Sequence, residues 1–248
     1  MHRVMTNING YIQSMAQSLK MVAEALGDTL VPRTCSVCGE VLARDERFVC
    51  RKCMAEMPLT GFEHRPFNAI DQALAGKALV ERSYGHFYYR RGDRYCNIIH
   101  DMKYRRVPAI GEWLGRIAAE RAMSAGFFRD IDVILPVPMH ERKVAERGYN
   151  QTEYIVRGIS AATGIAVGNN LVAEEHSSQT RKRRLERWYG VEGIYAAVRT
   201  HELAHKHVLL VDDVITTGAT LAHCAMALQS AEGVRVSVMV LGVSDIDF

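Results

Sequence analysis

The chain has 248 residues, enough for one sizeable α/β domain and a small accessory module, because a single core is comfortable at roughly 100–200 residues. A hydrophobic fraction of 48%, with 24% charged residues and six prolines, is that of a folded globular protein and excludes a disordered or fibrous chain. The formal net charge of +3 is too small to argue for nucleic acid by itself, so an anionic partner must be met through local clusters of Lys and Arg.

The first thirty residues carry Ile8, Tyr11, Ile12, Met15, Leu19, Val22 and Leu26 at helical spacing, interrupted by Gln13, Gln17, Lys20 and Glu24. This pattern predicts an amphipathic helix over 1–30, a packing element or homodimer contact, and not the apolar core of a signal peptide. No segment approaches the roughly 20 apolar residues that a membrane span needs, so no membrane span and a cytoplasmic location are expected.

Residues 31–60 hold four of the six cysteines as C-x2-C-x11-C-x2-C, at Cys35, Cys38, Cys50 and Cys53. Each C-x-x-C turn offers two thiolates at fixed spacing, and two such turns suit a structural, tetrahedral Zn²⁺ in a zinc-ribbon-like module. Disulfides are the competing reading, disfavoured by the cytoplasmic expectation. Arg44, Arg47, Arg51 and Lys52 leave nucleic-acid contact open beside plain solvated charge. Residues 61–110 contain Gly61, Pro66 and Gly76 and then a Tyr- and Arg-rich stretch, and read as a linker segment.

From residue 111 the pattern changes. A helix over 113–123 leads to an apolar strand over 131–137, then a helix over 150–162 ending at Gly164. A short apolar piece over 164–172, a basic loop over 181–187, a strand over 207–211, a helix over 219–231 and a strand over 234–243 follow. This alternation predicts an α/β domain over 111–248, a mostly parallel sheet with helices on both faces.

The strand at Val208 runs into Asp212-Asp213 and then Thr216-Thr217-Gly218-Ala219-Thr220 before a helix. Ligands in parallel sheets bind where strands end, and a helix amino-terminus there presents free N–H groups to a phosphate. Gly218 permits close backbone approach and the threonine hydroxyls add donors, while the two carboxylates suit sugar hydroxyls or a hydrated divalent cation. The segment describes a ribose phosphate site.

The run VLLVDDVITTGAT resembles the phosphoribosyl-pyrophosphate signature of type I phosphoribosyltransferases. A second region narrows the resemblance. Pro136-Val-Pro138, the basic stretch at Arg142-Lys143, and Arg147-Gly-Tyr-Asn-Gln151 are similar to the ComF family, whose members pair a phosphoribosyltransferase domain with competence and DNA uptake. His100-Asp-Met-Lys103-Tyr104 matches that family's H-x-x-K-Y element. Two departures stand out: Gly190 where the family pattern has Asn, and Tyr195 where it has Phe.

The resemblance implies that Asp212 and Asp213 hold the ribose 2′ and 3′ hydroxyls and that Thr216, Thr217, Gly218, Ala219 and Thr220 cradle the 5′-phosphate. It implies that Lys103 and Arg147, joined by Arg142, Lys143, Arg184 and Arg187, meet the pyrophosphate with Mg²⁺, the last two from a mobile basic loop. The 61–110 segment would then contribute a hood over the acceptor. Two functions follow: Mg²⁺-dependent transfer of a phosphoribosyl group from phosphoribosyl pyrophosphate to a nitrogen acceptor, or a competence factor that uses the pocket for binding only and handles single-stranded DNA together with DNA-uptake proteins.

Overall fold

The computed structural model describes residues 32–174 and 194–244. The helix expected over 1–30 and the basic loop expected over 181–187 lie outside the described residues. The described chain divides into two compact units, one ending at Glu56 and the other beginning at Met57.

The first unit is a cysteine knuckle with very little regular structure. A bridge between Thr34 and Val41 closes a turn in which Gly39, at φ +79°, donates its N–H to the Cys35 carbonyl at 2.9 Å. A left-handed residue there favours glycine, which is why Cys38 is followed by one. A single-turn helix, α1 (Arg51–Ala55), is capped by the Cys50 thiol, which accepts from the Cys53 N–H. Val37, Leu42 and Val49 are buried around the thiols, a core too small to hold this unit without a cross-link.

The second unit is built on a four-stranded, wholly parallel sheet in the order β1-β6-β5-β2. In chain order its elements are α2 (Ala69–Leu74), β1 (Ser83–Tyr89), α3 (Cys96–Tyr104), α4 (Ala109–Ser124), β2 (Val133–Pro136), α5 (Glu141–Arg147), α6 (Gln151–Thr163), β3 (Leu171–Glu174), β4 (Ile194–Ala197), β5 (His207–Ile215), α7 (Ala219–Leu228) and β6 (Arg235–Ser244). Val208–Val211 and Val238–Leu241 are buried at every consecutive position. Because successive side chains point to opposite faces, both faces of the sheet are covered, as the continuous apolar runs predicted. Helices α4 and α6 pack on each other closely: a Cβ at Gly158 would lie 1.9 Å from the Glu112 carbonyl, and one at Gly115 would lie 2.4 Å from that of Ile155. Strands β3 and β4 form a separate antiparallel pair.

Three differences from the sequence reading matter. Residues 61–110 are not a linker and hood alone, since β1 lies inside them and pairs in parallel with β6 from Ser83 to Tyr89. Strand β5 continues past Val211 to Ile215, so Asp212 and Asp213 sit within a strand, with Asp212 opposite Val240. The basic stretch after Pro138 folds as α5 and ends at Gly148, which has φ +87°.

Candidate active-site cleft and four-cysteine centre

The carboxyl ends of β2 and β5, the start of α6, and α3 surround a cleft of about 380 Å³. Asp212, Asp213, Lys103, Arg147, Lys143, Thr216 and Thr220 all line it. Residues from three separate stretches of sequence are thereby brought to one place.

Asp213 is the most constrained of them. Its side chain is 6% exposed; Oδ1 lies 3.0 Å from the Lys103 ammonium, and Oδ2 accepts from Gln151 Nε2 at 2.5 Å. Lys103 comes from the last turn of α3. Gln151 is the first residue of α6, and its other amide atom, Oε1, accepts from the Arg147 guanidinium at 3.0 Å. Arg147 also stacks on Tyr104, with its guanidinium carbon 5.2 Å from the ring centroid. A row of contacts thus runs Lys103, Asp213, Gln151, Arg147, Tyr104.

The segment from Arg147 to Thr152 owes its shape to local chemistry. Gly148 supplies the left-handed cap that ends α5. The Tyr149 hydroxyl donates to the Met102 carbonyl, tying the segment to the helix that carries Lys103. Asn150 caps α6 by accepting from the Thr152 N–H at 3.2 Å, and its amide donates to the Val137 carbonyl at 3.1 Å. The Thr152 hydroxyl donates to the same carbonyl at 2.8 Å. Buried polar groups need such partners, so each residue of this run has a structural task. Gln151 stands in the Arg147–Gln151 motif without an expected role; Gly148 and Asn150 separate it from the helix that carries Arg147, so no helical spacing pointed to their contact.

Asp212 differs from its neighbour. One oxygen accepts the Asp213 N–H at 2.8 Å. Burial, and then the adjacent Asp213 charge, push its carboxyl up to about 7, against the pull of that N–H and of Lys103. Tyr195, which stands where the family pattern has Phe, also lines the cleft and hydrogen-bonds Thr220. Burial, with Cys224 and Asp212 close by, pushes its phenol up to about 12, so it remains a donor at neutral pH.

The threonine loop leads from β5 into α7, whose cap is Gly218 at φ +76°. Ala219 N–H points to the Thr217 hydroxyl at 3.4 Å, while the N–H groups of Thr216, Thr217 and Gly218 have no hydrogen-bond partner among the described residues. Free N–H groups converging at a helix start are an anion-binding arrangement.

Not every expected residue joins the cleft: of the threonine loop, Thr216 and Thr220 line it, and Thr217, Gly218 and Ala219 do not. Arg142 does not line it: its side chain is 85% exposed and ion-pairs with Glu146 at 3.8 Å, because it lies on the outer side of α5. Arg184 and Arg187, with Gly190, lie outside the described residues.

In the first unit the Sγ atoms of Cys35, Cys38, Cys50 and Cys53 all lie within 4.8 Å of one another. The Cys38 and Cys50 sulfurs are 3.8 Å apart. Four sulfurs about 2.3 Å from one tetrahedral ion would be about 3.8 Å apart, so the cluster fits a metal ion such as Zn²⁺. Backbone N–H groups of Val37 and Cys50 point to the Cys35 sulfur at 3.4 and 3.3 Å. Burial raises the Cys35 thiol, but the N–H groups of Cys50, Cys38 and Val37 outweigh it and bring it down to about 7. That favours the thiolate at Cys35, whereas burial and then the neighbouring thiols push Cys53 up, so a bound cation is what would let the four thiols lose their protons together.

Against known proteins the chain matches DNA utilization protein YhgH of Salmonella typhi at 26% identity over 155 residues, 58% of this chain and 65% of that one. It matches competence protein F of Haemophilus influenzae at 32% over 101 residues, 40% and 44% of the two chains. Competence protein ComFC of Bacillus subtilis matches at 27% over 96 residues, 39% and 38%. This chain is similar to competence and DNA-utilization proteins. Each match spans less than two thirds of the relative's own length. No protein-family model matches the chain. Overlapping solved structures include a glutamine phosphoribosylpyrophosphate amidotransferase from B. subtilis, with TM-score 0.40, 22% identity and coverage of 54% of this chain and 26% of that one. An adenine phosphoribosyltransferase overlaps with TM-score 0.38, 15% identity and coverage of 62% and 76%. Among the described residues no helix is long and apolar enough to cross a membrane.

Proposed function

We propose that the cleft binds phosphoribosyl pyrophosphate with Mg²⁺ and that the protein transfers the phosphoribosyl group to a nitrogen acceptor. The observation that carries this reading is the adjacency, in one cleft, of a clamped carboxylate pair at Asp212 and Asp213, an uncapped threonine loop, and the cations Lys103, Lys143 and Arg147. In that arrangement the carboxylates accept from the ribose hydroxyls, and the N–H groups of Thr216, Thr217 and Gly218 donate to the 5′-phosphate.

Transfer breaks the C1–O bond to the diphosphate and forms a C1–N bond to the acceptor through an oxocarbenium-like state. Asp212 and Asp213 lie on the ribose side, where positive charge develops, and the three cations face the departing diphosphate. Lys103 spans the two, being ion-paired to Asp213 at 3.0 Å. Both Asp213 oxygens have side-chain partners and Asp212 Oδ1 accepts the Asp213 N–H, so Asp212 Oδ2 is the carboxylate oxygen with room for a divalent cation, which suits a Mg²⁺ that takes few protein ligands and otherwise binds substrate phosphates. When bound, Mg²⁺ supplies neutralisation of the leaving diphosphate. The four thiols of the first unit would hold a structural Zn²⁺, since four protein ligands leave no open position.

A second reading, a competence factor that binds a ribose phosphate without turning it over and contacts single-stranded DNA, is favoured by the likeness to competence protein F and ComFC. Fold does not choose between them. Diphosphate release from phosphoribosyl pyrophosphate across a panel of bases and amines does: the first reading predicts turnover with at least one acceptor that is lost in Lys103→Met. No release with any acceptor, together with single-stranded DNA binding that weakens steeply with salt, supports the second reading against the first.

A further inference from the structure

The turn after α2 reaches the threonine loop. Gly76 at φ +71° reverses the chain, the Lys77 N–H donates to the Leu74 carbonyl at 2.9 Å, and the Lys77 ammonium donates to the Thr217 carbonyl at 3.0 Å, across 140 residues of sequence. The same helix end buttresses the loop: a Cβ at Gly218 would lie 3.1 Å from the Leu74 side chain. Lys77 is half-buried as a residue, and its bond to the Thr217 carbonyl lies at the exposed side of the loop.

We infer that Lys77 is a positioning residue for a terminal phosphate monoester in the loop, an assignment that rests on the cleft reading proposed above. In a trans peptide the C=O and the following N–H point in opposite directions. Holding the Thr217 carbonyl on one side therefore aims the Gly218 N–H to the other, where it has no partner among the described residues. The ammonium also polarises that peptide and sets a positive charge behind a loop whose upstream neighbours, Asp212 and Asp213, are acidic. The ligand chemistry this selects is a phosphate monoester at one end of a sugar, distinct from the diphosphate that Lys103, Lys143 and Arg147 face.

The test uses the full chain and two probes, phosphoribosyl pyrophosphate with Mg²⁺ and inorganic pyrophosphate with Mg²⁺, which lacks the 5′-phosphate. Lys77→Met is expected to weaken the first probe about tenfold, equivalent to about 1.4 kcal/mol, and to leave the second within about twofold of wild type. Lys77→Arg, which keeps the charge and its donors, recovers most of the affinity. A Met variant that binds the first probe like wild type, or loses both probes equally, overturns the assignment of Lys77 while leaving the cleft reading in place; so does an Arg variant as weak as the Met variant. A wild-type protein that binds neither probe overturns the cleft reading and Lys77 with it.

Discussion

Asp212→Asn separates what the acid pair does for the site from what it does to the fold. In the folded protein the Asp212 carboxyl sits at about 7, above its ordinary 3.8, because burial and the Asp213 charge oppose ionisation. The folded state therefore holds this proton more tightly than the unfolded chain, and stability contributed by the protonated form is lost as pH rises through that interval. Each pH unit within it is worth about 1.4 kcal/mol, giving a ceiling of about 4 kcal/mol; relaxation and water in the cleft leave roughly 2 kcal/mol. Asparagine keeps the acceptor for the Asp213 N–H but carries no charge. Urea unfolding at about pH 3.5 and about pH 8 should give nearly equal stabilities for wild type and variant at the lower pH, which lies below the unfolded value of 3.8, and a variant more stable by roughly 2 kcal/mol at the higher. A variant less stable than wild type at the higher pH, or a difference that does not change with pH, would refute the reasoning.

Gly158→Ala forces α4 and α6 apart, since its Cβ would lie 1.9 Å from the Glu112 carbonyl, and is expected to lower stability by about 3 kcal/mol in the same assay. Arg121→Met takes from Glu63, whose side chain is 1% exposed, the guanidinium 2.6 Å away and leaves it only the exposed His64 ring at 4.0 Å; a loss of about 3 kcal/mol is expected, with part of it recovered in Glu63→Gln/Arg121→Met. Metal analysis of the purified protein should find about one zinc per chain, falling to near zero in Cys53→Ser, because three thiolates of a closed site bind far more weakly than four.

The sequence carried the parts of the site that depend on local spacing. C-x2-C-x11-C-x2-C brings its four sulfurs together, and the acid pair before the threonine loop ends up at the carboxyl edge of a parallel sheet, as the apolar run before it required. Contacts made across long sequence separations were not legible. Strand β1, Ser-Tyr-Gly-His-Phe-Tyr-Tyr, reads as a polar aromatic stretch, yet Tyr84, His86 and Phe87 are buried because β6, about 155 residues later, pairs with it. Lys77 gives no local sign that its ammonium reaches Thr217. Arg142 was expected to join the higher-ranked Arg147 at the pyrophosphate, and only the helix α5 turns the first outward and the second into the cleft. Gln151 was hidden by being both the start of a helix and a neighbour of Asp213.

The central claim is that the clamped acid pair and threonine loop form a ribose-phosphate site, and calorimetric titration of phosphoribosyl pyrophosphate with Mg²⁺ into wild type and Asp213→Asn tests it most directly. The account predicts saturable binding by wild type and affinity at least about tenfold weaker in the variant, which loses its ion pair with Lys103. Absence of binding to the wild-type protein, or equal affinity in Asp213→Asn, would contradict it.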